Sequence, residues 1–147
     1  MQDFVHLHVH TQYSILDGQA SISKLVDKAI ADGMKGIAVT DHGDMFGIKE
    51  FFNYVNKKNG KTNGEIKDLK KRIVALEKGK IESENPEAEI MACKEQLEAT
   101  RKKLFKPIFG CEMYVARRRL FNKEGKPDQS GYHLVVLAKN EKGYHNL

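Results

Sequence analysis

The sequence has little cysteine and no long apolar run, and each shortage excludes a class of protein. Its two cysteines, Cys93 and Cys111, lie in unrelated contexts and cannot form the disulfide framework of a small secreted domain. No apolar run approaches the roughly 18 residues that span a bilayer. The first residues, MQDFVHLHVH, lack the basic start and the cleavage site of a secretion signal. We therefore expect reduced thiols, a cytoplasmic location and no membrane partner.

The excess of positive charge is confined to one internal segment. Residues 56–106 hold 14 Lys or Arg against 9 Asp or Glu, whereas the rest of the 147-residue chain holds 11 of each. The same segment has no aromatic residue before Phe105 and is rich in Lys, Glu, Leu, Ile and Ala. This change of composition predicts that residues 56–106 are an insertion into a fold formed by the rest of the chain.

Outside the insertion, the hydrophobic pattern switches between strand and helix. Residues 4–10 alternate with period two, which predicts a strand with all of its histidines on one face. Helical spacing predicts two helices, at residues 22–32 and from residue 48 onwards, and apolar runs predict strands at 36–40, 107–116 and 132–138. Strands separated by helices indicate an α/β fold with a parallel sheet, either open or closed into a barrel.

Inside the insertion, two narrow apolar seams predict two helices. Apolar residues recur every three or four positions in residues 66–76 and again in residues 90–104. Between them, Asn85 is suited to cap the second helix, and Pro86 suits its first position. We expect a loop at residues 56–65 and then an antiparallel helical hairpin that projects from the body of the protein.

Three histidines on one face of one strand are the strongest functional signal. His6, His8 and His10 lie within about 14 Å of strand, where three imidazoles are costly to bury unless something pairs with them. A metal ion is the simplest partner, and His8 and His10 are the best candidates. The alternative is that these are solvent-facing or core histidines that happen to alternate.

Four further residues are candidate ligands, each with a structural alternative. Asp17 follows in the next loop, although an Asp before Gly is often a turn residue. His42 follows the second strand, at the end where parallel α/β folds keep their active sites, but it could be a surface histidine. Glu112 lies in an apolar strand and needs a positive partner, either a metal or a structural salt bridge. His133 could equally be structural, and Asp41 could orient an imidazole.

These candidates supply imidazoles and carboxylates but no thiolate. Such a donor set suits zinc, manganese or iron in a catalytic cluster better than a structural zinc site. Clustered divalent ions generate hydroxide at neutral pH and neutralise the charge that develops on a phosphoryl oxygen. The ligand types therefore favour hydrolysis of a phosphoester.

Four ordered blocks of the sequence resemble a known family: FVHLHVHTQYSILDG, AVTDHGDMFGIKEFF, KPIFGCEMYVA and HLVVLAKNEKGYHNL. They resemble the PHP (polymerase and histidinol phosphatase) domain with which bacterial DNA polymerase III alpha subunits begin. The resemblance implies a distorted (β/α)7 barrel with a metal cluster at the strand ends. It also implies that residues 1–147 are the N-terminal part of that domain and that further ligands, a Cys and an Asp with a His, lie beyond Leu147.

The resemblance also assigns roles by position, with His6 left outside the ligand set. It implies catalytic roles for His8, His10, Asp17, His42 and Glu112. The metal ligands that it implies are His8, His10, Asp17, His42, Glu112 and His133.

At the level of function, the resemblance implies DNA replication and leaves alternatives open. The domain would be a metal-dependent phosphoesterase that acts as a proofreading 3′–5′ exonuclease. Its parent protein would be a DNA-directed DNA polymerase, which is a nucleotidyltransferase. One alternative is a non-catalytic, metal-stabilised docking module for a separate proofreading subunit, and another is a stand-alone enzyme similar to histidinol phosphatase. Expected partners are DNA, through the parent polymerase, and other polymerase III subunits. The basic insertion departs from the family pattern and could touch the DNA backbone, although mixed Lys and Glu are typical of a solvated face.

Overall fold

The computed structural model describes residues 4–119, 121–126 and 131–147. Within these residues, five helices and three strands follow one another in the order α1 (Ile22–Ala31), β1 (Gly36–Val39), α2 (Ile48–Lys58), α3 (Gly60–Glu77), α4 (Pro86–Arg101), β2 (Lys106–Val115), β3 (Tyr132–Leu137) and α5 (Glu141–Asn146). The loop predicted between β2 and β3 lies in part, at residues 120 and 127–130, outside the described residues.

The chain divides into two compact units. One, the sheet unit, comprises Met1–Val55 and Lys106–Leu147, and the other, the helical unit, comprises Asn56–Phe105. No helix in the described parts of either unit is long and apolar enough to cross a membrane.

The sheet is mixed rather than parallel. β1 pairs with β2 in parallel, with Gly36 opposite Lys106, whereas β2 pairs with β3 in antiparallel fashion, with Gly110 opposite Leu137. The prediction of a parallel sheet is therefore wrong for β3. A parallel neighbour needs a crossover of a dozen or more residues, usually a helix, and the described residues between β2 and β3 form none.

Residues 4–10 run alongside β1 but do not form the predicted regular strand. Ala38 N–H donates to His6 O and Thr40 N–H to Val9 O, both at 2.9 Å. His6 and Val9 are three positions apart while their partners are two apart, so one extra residue bulges out of the pairing. The bulge interrupts the period-two alternation on which the predicted strand depended.

Apolar faces of α1 and α2 pack in the core of the sheet unit. Ile22 and Val26 of α1, Phe51 and Val55 of α2, and all four residues of β1 are buried. Removing each large side chain from water contributes about 1.5–3 kcal/mol. This core fixes β1, which leads to the functional site described below.

In the helical unit, α3 and α4 pack along their apolar seams. Ile73, Cys93 and Leu97 form a buried cluster, and partly buried residues of the same seams pack against it: Ile66, Leu69 and Ile90. The predicted start of the second helix is confirmed, since Asn85 accepts a hydrogen bond from Ala88 N–H at 3.2 Å and Pro86 is the first helical residue.

The loop predicted at residues 56–65 is wrong, because that stretch is helical except at Asn59. The Asn59 side chain forms two hydrogen bonds with the backbone of Phe105: its Nδ2 donates to Phe105 O at 2.8 Å, and its Oδ1 accepts from Phe105 N–H at 3.0 Å. These tertiary contacts hold the junction of α2 and α3 in place, although Asn and Gly have low intrinsic helix propensity.

Candidate metal centre

Six side chains from separate parts of the sheet unit converge on one site. The N-terminal segment contributes His8 and His10, and the loop after it contributes Asp17. His42 follows β1, Glu112 lies on β2, and His133 lies on β3. An isolated parallel bridge between His42 and Glu112 continues the pairing of β1 with β2. This bridge places His42, three residues after β1, beside Glu112 of β2.

Glu112 lies at the centre of the cluster. Its Oε2 is 2.5 Å from His10 Nε2, 3.3 Å from His8 Nε2 and 3.8 Å from His42 Nδ1. Its Oε1 is 2.9 Å from His133 Nδ1. One carboxylate therefore faces four imidazoles.

A second carboxylate approaches the same histidines from the loop. Asp17 Oδ2 is 2.7 Å from His42 Nδ1 and 3.9 Å from His10 Nδ1. Two sets of donor atoms each lie within 4.8 Å of one another, namely His8, His10 and Glu112, and His10, Asp17 and His42. Each set could hold one metal ion, and His10 belongs to both.

The environment of Glu112 is costly without a cation. The residue is only 5% exposed, and within the described residues its Oε2 accepts no hydrogen bond of regular geometry. Burial alone would raise the pKa of Glu112, but the polar contacts and positive charge of His8 and His10 outweigh burial and lower it. The imidazole nitrogens and the carboxylate oxygen lie close together without regular hydrogen-bond geometry. A cation between them would accept their lone pairs, so these donors fit a divalent metal.

Asp41 organises the loop next to this cluster. It is 1% exposed, and its Oδ1 accepts hydrogen bonds from Thr11 N–H at 2.6 Å and from Ser14 Oγ–H at 2.9 Å. Its Oδ2 accepts from the Thr11 hydroxyl at 2.8 Å, and Ser14 Oγ accepts from His42 N–H at 3.0 Å. The prediction that Asp41 orients an imidazole is therefore wrong. Asp41 instead ties the segment after His10 to the end of β1.

A glycine permits the loop to turn back on itself. Gly18 N–H donates to Ser14 O at 2.7 Å. A Cβ at this position would lie 1.9 Å from Thr11 O, and such a backbone clash leaves no room for a side chain. The turn that presents Asp17 to His42 therefore depends on glycine.

Tyr114 is part of the site, although sequence reasoning missed it. Its hydroxyl contacts His42 Nε2, and its ring centroid is 4.9 Å from that of His42 and 4.8 Å from that of His133. A signal was present in the sequence, because residues two apart on a strand share a face and Tyr114 follows Glu112 by two.

Two other histidines lie outside the cluster. His6 is exposed and its ring packs edge-on against Phe4, with centroids 4.7 Å apart. His145, on α5, is exposed and contacts the ring of Tyr144.

Comparison with known proteins bears out the resemblance in the sequence. The PHP domain family matches residues 6–147. The chain is 36% identical over 147 residues to the DNA polymerase III subunit alpha of Borreliella burgdorferi, which is 98% of the chain and 9% of that protein. It is 34% identical over 145 residues to that of Treponema pallidum, which is 98% of the chain and 8% of that protein. The chain thus spans less than a tenth of the length of these relatives. It belongs to the PHP domain family.

Proposed function

We propose that this PHP domain serves DNA replication in a DNA polymerase III alpha subunit and hydrolyses phosphoester bonds with divalent metal ions. The proposed reaction is 3′–5′ removal of nucleotides, which would proofread the strand being made. The observation that carries this proposal is the buried Glu112 carboxylate, whose Oε2 faces three imidazoles and, in the described part of the chain, accepts no regular hydrogen bond.

The candidate ligands divide the work between two adjacent positions. His8 and Glu112 would hold one ion, and Asp17 and His42 would hold a second. His10 belongs to both donor sets and, with one free lone pair as a neutral imidazole, would ligate one of the two. A divalent ion supplies Lewis acidity towards a phosphoryl oxygen and lowers the pKa of water towards neutrality. We assign His133 to the same cluster because its Nδ1 is 2.9 Å from Glu112 Oε1.

Residues that touch the ligands would keep them in place. The Tyr114 hydroxyl contacts His42 Nε2 and would restrict rotation of that ring. Asp41, through Thr11 and Ser14, would keep the loop and the end of β1 in register. Such contacts matter because a reacting group displaced by about 1 Å can cost 100-fold in rate.

Five wider expectations are part of the proposal. The sheet unit would be the N-terminal part of a distorted (β/α)7 barrel, and residues 56–106 an antiparallel helical hairpin inserted into it. Zinc, manganese or iron would fill the cluster. DNA and other polymerase III subunits would be the partners, in the cytoplasm.

Hydrolysis tests the proposal directly. The purified protein, supplied with manganese or zinc, should shorten an oligonucleotide labelled at its 5′ end, and His10→Ala should abolish this activity because His10 belongs to both donor sets. His6→Ala is the matched control, since His6 lies on the same segment but packs on Phe4 instead. We expect His6→Ala to retain the wild-type rate.

Two outcomes would contradict the phosphoesterase proposal. Equal degradation by the wild type and His10→Ala would mean that the activity comes from another site or from contamination. Metal binding without any hydrolysis would favour a metal-stabilised docking module instead.

A further inference from the structure

One side of α3 and the turn after it carry a group of lysines that the metal centre does not use. They are exposed, and they line a surface cleft of about 650 Å³. Apart from Asn63, the other lining residues are apolar, with Val74 half-exposed among the lysines. We call this group the lysine face; its members are Lys67, Lys70, Lys71, Lys78 and Lys80.

Acidic residues of α3 lie outside this cleft, although Asp68 Oδ1 is 3.9 Å from Lys71 Nζ at its edge. Glu65 and Asp68 line a different cleft together with Arg72, and Glu77 forms an ion pair of 3.5 Å with Lys94 of α4. Among the residues that the structure describes, no Asp or Glu lines the lysine cleft. With five lysines in the cleft lining and one carboxylate, Asp68, beside Lys71 at its edge, this side of the helix is predominantly basic rather than neutral.

The opposite side of α3 fixes the orientation of the lysine face. Ile73 and Leu76 are buried, and Ile73 packs in the cluster formed with α4. Because residues three, four or seven apart share a helix face, Lys67, Lys71 and Lys78 form a stripe away from that seam. Packing of α3 on α4 therefore leaves these lysines facing outward.

The stripe fits a linear polyanion. Lys67 and Lys78 are eleven positions apart, which is about 16 Å along a helix at 1.5 Å per residue. One strand of duplex DNA carries a phosphate every 3.4 Å or so of helix axis, so the stripe would lie along about five phosphates. We propose that the lysine face binds the phosphate backbone of nucleic acid without regard to base sequence.

The composition of the helical unit supports contact with the backbone rather than with bases. Residues 56–104 contain no aromatic side chain on which an unpaired base could stack. Lysine carries a point charge on a flexible side chain. It lacks the planar guanidinium group with which arginine forms bidentate hydrogen bonds to a guanine edge. The choice of nucleic acid over an acidic protein rests on the proposed role in replication.

Salt-dependent binding to a labelled DNA duplex, measured by fluorescence anisotropy in the presence of a chelator, tests the inference. Lys67→Gln, Lys71→Gln and Lys78→Gln combined should weaken binding at least about tenfold and flatten the slope of log K against log salt by about 2–3. The matched control combines Lys24→Gln, Lys123→Gln and Lys142→Gln, which removes the same charge from exposed positions of the sheet unit. We expect the control to stay within about twofold of the wild type and to keep its slope.

An arginine variant and a second polyanion distinguish the possible explanations of the result. Replacing the same three α3 lysines by arginine should retain binding, because the positive charges stay. Equal losses in both glutamine triples would mean that net charge alone attracts DNA, and unchanged binding in the α3 triple would overturn the inference outright. Tighter binding to poly-glutamate than to DNA would point to an acidic protein instead. Because the chelator removes metal, failure of hydrolysis and failure of DNA binding can be told apart.

Discussion

The two units of this chain differ in whether they bury charged side chains. Beside its apolar core, the sheet unit buries the carboxylates of Asp41 and Glu112, 1% and 5% exposed, whereas the buried cluster of Ile73, Cys93 and Leu97 in the helical unit is apolar. A buried carboxylate costs free energy unless hydrogen bonds or a cation compensate for it, while a buried apolar side chain stabilises by itself. The sheet unit therefore depends on specific polar partners as well as on packing, whereas the buried cluster of the helical unit depends on packing.

The chain offers a way to follow each unit separately. All five tyrosines lie outside residues 56–105, and the sequence has no tryptophan. Tyrosine fluorescence therefore reports on the sheet unit, and hydrogen exchange along α3 and α4 reports on the helical unit.

Asp41→Ala should have the largest effect on stability and should act on the sheet unit. It leaves the Thr11 amide and the hydroxyls of Thr11 and Ser14 without their acceptor, so we expect a loss of about 3–5 kcal/mol in the free energy of unfolding. Tyrosine fluorescence during urea unfolding measures it. Asp44→Ala, which removes one hydrogen bond from Phe46 N–H, should cost about 1 kcal/mol. Equal costs for the two variants would contradict the role assigned to Asp41.

Leu97→Ala should destabilise the helical unit by about 2–3 kcal/mol, because it opens a cavity in the buried seam between α3 and α4. Hydrogen exchange in α3 and α4 should speed up accordingly. The metal affinity should not change, since every candidate ligand belongs to the sheet unit. Met91→Ala on the same helix is the control, because Met91 is exposed and should have little effect. A loss of metal binding in Leu97→Ala would show that the two units are coupled.

The smallest expected effect is the loss, at acid pH, of the contribution that Glu112 makes to folding stability. Because the pKa of Glu112 is lowered in the fold by His8 and His10 despite its burial, the ionised carboxylate stabilises the folded state above about pH 4.3, the ordinary pKa of glutamate. That contribution is lost as the pH falls through the lower pKa of the folded state. The difference in unfolding free energy between metal-free wild type and Glu112→Gln should thus shrink as the pH falls below about 4. A difference that grows as the pH falls below about 4 would mean that the pKa is raised instead.

Helices were the easiest part of the fold to predict from the sequence. In α3 and α4, apolar residues recur at a fixed spacing and pack against their neighbour in the chain, so a local pattern carries the information. The Asn85 cap is equally local. The junction at Asn59 could not be predicted, because it depends on hydrogen bonds with Phe105, 46 positions away.

For the sheet unit, the sequence predicted which residue types would meet but not how the backbone brings them together. Glu112 was found because a carboxylate stands out in an apolar strand. The bulge before His10 was missed, since its cause is the pairing with β1 rather than any local preference. The role of Asp41 was also missed, because its partners, Thr11 and Ser14, are ordinary polar residues that gain meaning only when buried together.

The central claim is that the clustered imidazoles and carboxylates bind a divalent cation, and calorimetric titration with zinc or manganese at neutral pH tests it most directly. The wild type should bind stoichiometrically, His6→Ala should bind equally well, and Glu112→Gln should bind at least about tenfold more weakly, because it removes the carboxylate at the centre of the cluster. Equal metal affinities of the wild type and Glu112→Gln would contradict this claim. So would a folded wild type that binds no metal.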